Sequence, residues 1–140
     1  MMRARKTGRV RRDGPPIFLN ISNHPLSDWP PEQVRAALRL APGARLVDLP
    51  FPQVPPEAGK ADVAALMEAV LRRVPAGTTH AMVMGEFALA FALVARLERF
   101  GVECFASTTT RRPMKEAFRF GRFRRYSPLT AGKREVRGDK

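Results

Sequence analysis

Apolar positions fall into short runs and helical stripes that alternate along the chain. Residues 17–22, IFLNIS, form a brief apolar run behind Gly14-Pro15-Pro16, as a buried strand does. Val34, Ala37, Leu38 and Ala41 then recur at helical spacing, and Pro42-Gly43 ends that stripe. Ser27 or Asp28 is its expected cap, with Pro30 and Pro31 in a first turn where amide donors are dispensable. A second strand is predicted over 45–51, RLVDLPF, closed by the connector PQVPPEAG. Residues 62–74 form an amphipathic helix with Val63, Leu66, Met67, Val70, Leu71 and Val74 on one face. A third strand at 80–84 runs into Gly85-Glu86-Phe87, and a helix over about 88–100 stops at Gly101. Residues 102–107, VECFAS, read as a fourth strand, and the polar, basic 108–117 as a loop. The last run, FRFGRFRRY, reads as an edge strand or hairpin arm with Phe118, Phe120 and Phe123 inward and arginines outward.

Strands alternating with helices imply an α/β fold: a mostly parallel sheet, helices on both faces and right-handed crossovers. With four parallel strands and short connections the compact order is 2-1-3-4, which places the switch point between the first and third strands. Ligands bind such sheets outside the carboxyl ends of the strands at that switch. Three segments are thereby brought to one crevice: Ser22-Asn23-His24-Pro25, Gly85-Glu86-Phe87, and Ser107-Thr108-Thr109-Thr110-Arg111-Arg112. One domain over 15–126 is expected, between a basic, flexible extension at 1–14 and a basic, flexible tail at 127–140.

Charge changes the picture through its distribution. The 25 Lys+Arg against 13 Asp+Glu give a formal +12. Residues 1–14 carry +5 and residues 111–140 carry +8, so the body between them stands at −1. Basic ends attract polyanions by Coulomb attraction and counterion release, or serve simply as solvated tails. The single cysteine, Cys104, forms no internal disulfide and suits a reducing, cytoplasmic setting. No run reaches the roughly 20 apolar residues of a membrane-spanning helix, and 1–14 lacks the apolar stretch of a secretory signal.

The candidate chemistry is that of an anion site without metal or cofactor. There is no HxxxH, no cysteine–histidine set, no GxSxG elbow and no glycine-rich turn after the first strand. Ser22 and Asn23 fit a ligand-binding loop or ordinary turn chemistry. His24 is a candidate general acid, general base or hydrogen-bond donor to phosphate, or a turn residue. Gly85, Glu86 and Phe87 open a helix whose first amides favour an anion, with Glu86 either a dipole partner or a ribose acceptor. Ser107, Thr108, Thr109, Thr110, Arg111 and Arg112 supply hydroxyls and guanidinium forks suited to phosphate oxygens, or form a solvated connector. Arg119, Arg122, Arg124 and Arg125 extend the positive surface or guard a sheet edge. His80 reads as a buried strand opener, and Trp29 as packing across the first helix or as a base-stacking indole.

FLNISNHPLSDWPPEQVRAA, RLVDLPFP, VMGEFALAFALVARLERFGVECFASTTTR and FRFGRFRRY together resemble small CRISPR-associated proteins with a Rossmann-like CARF fold, several of them ring nucleases. The resemblance covers about residues 17–126. Its most specific parts are Asn23-His24-Pro25 with Glu32-Gln33, Gly85-Glu86-Phe87, and Ser107-Thr108-Thr109 with a nearby arginine. It implies a three-layer sandwich and a homodimer that binds cyclic oligoadenylate, most simply the tetra-adenylate ring. It further implies metal-free cleavage through 2′-hydroxyl attack, which switches off antiviral type III CRISPR signalling. His24, Ser107, Thr108 and Arg111 would then be catalytic. Ser22, Asn23, Gly85, Glu86, Phe87, Thr109, Thr110 and Arg112 would contact the ring. Two alternatives stay open: a sensor or sponge that binds the ring without turnover, and a basic nucleic-acid-binding protein.

Overall fold

The computed structural model describes residues 14–111 and 118–126. Five strands, β1 (Ile17–Ile21), β2 (Arg45–Asp48), β3 (Thr78–Val83), β4 (Glu103–Arg111) and β5 (Phe118–Arg125), form one sheet in the order β2-β1-β3-β4-β5. The first four are parallel and β5 pairs antiparallel to β4. Three helices, α1 (Pro31–Leu40), α2 (Lys60–Arg72) and α3 (Phe87–Arg99), complete an α/β fold whose strand order is consistent with a Rossmann-like sheet.

Period-two alternation divides the core between the two faces of this sheet. Leu19, Ile21, Ala81, Val83 and Cys104 point one way and meet Met67 and Val70 of α2 and Leu89, Leu93 and Leu97 of α3. Phe18, Met82, Phe105 and Phe123 point the other way, toward Trp29 and Ala37 of the α1 side. Leu89, Leu93 and Leu97 are spaced one turn apart and wholly buried, each stabilising the fold by about 1.5–3 kcal/mol. α3 therefore presents a core stripe, while Phe87 and Phe91 on its other side are 89% and 78% exposed. Gly101, with φ +89°, closes α3: its amide donates to the Glu98 carbonyl and the Val102 amide to the Leu97 carbonyl.

Several boundaries differ from the sequence expectation. α1 is capped at Pro30, not Ser27 or Asp28, because Leu26–Asp28 form a separate 3-10 turn and Pro31 is the first helical residue. β2 stops at Asp48, although Leu49 and Phe51 still donate to the Asn20 and Ser22 carbonyls and stay buried. α2 begins two residues early, at Lys60, where the Asp62 carboxylate accepts from the Gly59 amide at 2.9 Å.

The largest correction concerns 108–111. These residues are not a loop: β4 continues through Arg111, because β5 supplies a hydrogen-bonding partner for them. Ser107 pairs with Phe123 and Thr109 with Phe120, so Gly121 and Arg122 together face Thr108 as a bulge. The Thr108 hydroxyl completes it, accepting from the Arg122 amide at 3.0 Å and reaching the Arg122 carbonyl at 3.3 Å. Only glycine fits at 121, since a Cβ there would lie 2.6 Å from Thr108 Oγ1. The extra residue resets the alternation and lets both Phe120 and Phe123 join the α1-side core.

No helix among the described residues is long and apolar enough to cross a membrane. The expected extension at 1–14 and tail at 127–140 lie outside the described residues, except for Gly14.

Candidate functional site

At the carboxyl ends of β1, β3 and β4, on the α1 face, the sheet opens into a cavity of about 520 Å³. Its position is the one that the strand order dictates, because β1 and β3 send their following segments to opposite faces. Ser22, Asn23 and His24 come from the end of β1, Met82, Met84 and Gly85 from β3, and Ser107 and Thr109 from β4. Trp29, Pro30 and Gln33 form the α1 side, and Arg119 and Phe120 of β5 close the remaining wall. Such a volume lies within the roughly 300–1,000 Å³ of small-molecule sites.

The β1 end is rigid for a local reason. Asn20 is 1% exposed, and a buried amide must find partners for all its polar atoms. Its Nδ2 donates to the His24 carbonyl and to Asp48 Oδ1, each at 2.8 Å, while its Oδ1 lies 2.7 Å from the Ser22 hydroxyl. Ser22 Oγ accepts from the His24 amide at 3.1 Å, and Asp48 Oδ1 also accepts from the Leu26 amide at 3.0 Å. The His24 backbone is thereby clamped from both sides. Its imidazole stands exposed at the cavity and makes no hydrogen bond to the described residues. Ser22 lines the cavity, but its hydroxyl already serves this clamp.

Gly85 lines the cavity because nothing larger fits. A Cβ there would come within 2.5 Å of the Phe51 ring, so packing alone requires glycine. The Glu86 carboxylate caps α3, accepting from the Leu89 amide at 2.8 Å. Neither Glu86 nor Phe87 is among the described residues lining the cavity.

On β4 the alternation of side chains divides the hydroxyl run. Ser107 and Thr109 face the cavity, whereas Thr108, expected among the catalytic groups, faces away and holds the bulge. Thr110 is exposed opposite Arg119, and the backbone of Arg111 ends β4 opposite Phe118. Arg112 lies outside the described residues. Ser107 points its amide and its hydroxyl at Met84 Sδ, each at 3.2 Å, a weak acceptor for either donor.

Arg119, expected only to extend the positive surface or guard an edge, and Gln33, present only in the Glu32-Gln33 part of the resemblance, both line the cavity. Arg119 is legible only once 108–111 is seen as its partner strand. Gln33 sits on the otherwise apolar side of α1 and is buried there. His80, expected to open a buried strand, is instead the third residue of β3 and half-buried; its ring packs beside those of Phe18 and Phe105, at centroid distances of 6.0 Å each. Among the described residues no group of three or more His, Cys, Asp or Glu side chains is placed to hold a metal ion.

Asp28 also lines the cavity. Three titratable groups on the far side of the sheet or at its edge are shifted. The Cys104 thiol is pushed up to about 12, first by burial and then by the Glu98 carboxylate. Arg125 is held further up by its 2.8 Å bond to Glu98, and burial raises the Tyr126 phenol, which donates to the Val83 carbonyl.

A family model covering residues 16–124 matches this chain. The chain belongs to the Uncharacterized protein MJ1673 family. The match takes in every strand that lines the cavity and ends within β5. No curated protein and no solved structure gives a significant match.

Proposed function

We propose that this member of the MJ1673 family is a CARF-like ring nuclease, which binds cyclic oligoadenylate in the cavity and opens it without a metal ion. The observation that carries the reading is the joint placement of His24, Thr109 and Arg119 around an apolar floor of Met82, Met84 and Phe120. A base occupies the apolar part and a phosphodiester meets the polar rim. Arg119 and Thr109 hold phosphate oxygens, Arg119 by charge-assisted bonds. They align the adjacent ribose for in-line attack. The ribose 2′-oxygen bonds to phosphorus as the bond from phosphorus to the 5′-oxygen breaks. A 2′,3′-cyclic phosphate and a free 5′-hydroxyl result. His24 takes the 2′-hydroxyl proton or returns one to the leaving oxygen. The reaction needs no nucleophile from the protein, which suits a wall whose Ser22 hydroxyl is already engaged.

A cavity of this size suits one or two nucleotide units rather than a whole ring, so two copies would share a two-fold symmetric ligand. Phe87 and Phe91, exposed and one turn apart on α3, favour a second copy as neighbour. The reading places the protein in a cytoplasmic antiviral response, as the step that removes the messenger.

Incubation with labelled cyclic oligoadenylates of several ring sizes in EDTA tests it. Linear products ending in 2′,3′-cyclic phosphate are expected. Retention of the ring without products would make the protein a sensor or sponge. Loss of both, with salt-sensitive binding to duplex DNA or RNA, would leave only a basic nucleic-acid binder.

A further inference from the structure

α1 and β5 lie against each other beside the cavity, and a separate groove of about 240 Å³ opens between them. Arg39 and Leu40 belong to its α1 wall, and Phe120, Gly121, Arg122 and Phe123 to its β5 wall. No acidic side chain is among the described residues that line it, and neither arginine forms an ion pair with a described residue. The bulge explains how Arg122 comes to be there. Strict alternation from the buried Phe123 would send its neighbour to the opposite face, but the extra residue at Gly121–Arg122 re-aims the strand, and both side chains line the groove. Arg122 Nε donates to the Phe123 carbonyl at 3.4 Å, which leaves both terminal nitrogens of the guanidinium without a bond to the described residues. Arg39 stands in the last turn of α1, where a cation suits the helix dipole, whereas Arg122 has no such local use. Two like charges at one small groove repel each other unless an anion joins them.

The apolar part of the groove narrows the choice of anion. Leu40 is 39% exposed and Phe120 half-buried, so apolar surface lies beside the guanidinium groups. A single nucleic-acid strand meets both features, with a phosphate at every nucleotide and base faces free to stack, whereas a duplex hides those faces. Phe120 lines the cavity as well as the groove, and Arg119 just before it lines the cavity. Arg119 and Arg122 are at most roughly 10 Å apart along β5, so one strand can pass from the one to the other. We infer that the α1–β5 groove docks single-stranded RNA, its backbone held between Arg39 and Arg122. The choice of RNA rests on the nucleotide reading of the cavity, where Asn23 and Thr109 are placed to meet 2′-hydroxyls of the same strand.

The full chain is titrated with a short, dye-labelled, single-stranded oligoadenylate RNA, with its duplex and with the matching single-stranded DNA, by fluorescence anisotropy over a range of salt. The single-stranded RNA is expected to bind tightest. Arg39→Gln and Arg122→Gln should each weaken it and lower the slope of log affinity against log salt by about 0.7, the share of one phosphate contact on a single strand. Arg72→Gln and Arg73→Gln remove the same charge at the end of α2, on the other face of the sheet, and should leave that slope unchanged. All four side chains are exposed, so the fold does not depend on them. A slope that falls equally in every variant, or in none, overturns the inference, since overall charge or the basic ends would then hold the strand. Duplex bound as tightly as the single strand overturns it too, and DNA bound equally through the same two arginines overturns the choice of RNA. Cleavage of cyclic tetra-adenylate is followed in parallel and should be unchanged in Arg39→Gln and Arg122→Gln. If the ring is cut but the single strand does not bind, the inference falls and the ring proposal stands. If the strand binds through both arginines while the ring is neither bound nor cut, the inference stands and the ring proposal falls.

Discussion

Asn20 Nδ2 donates to Asp48 Oδ1 at 2.8 Å, a bond that ties the end of β1 to the end of β2. The second hydrogen of the same amide holds the His24 carbonyl. One buried side chain thus fixes both the sheet and the proposed proton-transfer loop. Asn20→Leu removes the bonds to Asp48, Ser22 and His24, while Ser22 Oγ and the His24 carbonyl, 3.2 Å apart, keep each other. It should cost about 0.5–1.5 kcal/mol for each bond lost. Urea denaturation measures this as a lower midpoint at unchanged slope.

His24→Ala and Arg119→Ala should separate chemistry from binding. The His24 imidazole is exposed and makes no bond to the described residues, so its loss should leave the melting temperature unchanged. Ring cleavage should fall by about 10²-fold or more, as for loss of a general acid or base. Arg119→Ala should weaken ring binding by about 1.5–3 kcal/mol, the range for a hydrogen bond to a charged group. It should also flatten the dependence of affinity on salt. Ring affinity unchanged in Arg119→Ala would remove that residue from the site.

Gly85 lines the cavity, and packing is enough to explain the glycine there. A Cβ there meets the Phe51 ring at 2.5 Å, so Gly85→Ala should destabilise by about 1–3 kcal/mol through overpacking. Adding Phe51→Leu makes room, and the double variant should be more stable than the sum of the single changes predicts. Strict additivity in a double-mutant cycle would mean that the ring contact is not what excludes alanine.

Cys104 should set part of the alkaline limit of stability. Its folded pKa is raised to about 12 from 9.0, so the folded state keeps the thiol proton after the unfolded chain has lost it. Below pH 9 both states are protonated and this contribution is intact; it is lost as pH rises from 9 to about 12. Cys104→Ala should flatten the fall in unfolding free energy across that window. A residual slope should remain, because the Tyr126 phenol is also raised by burial. Thiol reagents at pH 8 should label the native protein slowly and the urea-unfolded protein quickly.

The parts of this molecule that were legible in its sequence are those where local pattern and tertiary role coincide. The Leu89, Leu93 and Leu97 stripe with Gly101 behind it announces α3 and its end, and the alternation of elements yields the order of the parallel strands. The extension of β4 was hidden because Ser107–Arg111 has no apolar alternation; what makes it a strand is β5, across the sheet. The bulge at Gly121 was hidden for the same reason, although Phe120 and Phe123 do turn to one face as their run predicted. Among candidate site residues, position along the strand ends predicted Asn23, His24, Ser107 and Thr109 at the cavity. Thr108 was expected among the catalytic groups and instead holds a bulge, and of the two roles offered to Glu86 the structure shows the one at the helix N-terminus. Gln33 escaped because a lone polar residue on a helix does not reveal whether it faces solvent or a cavity.

The antiparallel strand has a kinetic consequence. Arg119 and Phe120 belong to β5, whose outer side is the edge of the sheet, while Thr109 and Ser107 belong to β4. A ligand held by both strands bridges their seam, so each opening of the edge must first break its contacts. The amides of Phe118–Arg125 would then exchange with deuterated solvent more slowly in the occupied protein, and the edge of the sheet would act as a clock for the residence of its ligand.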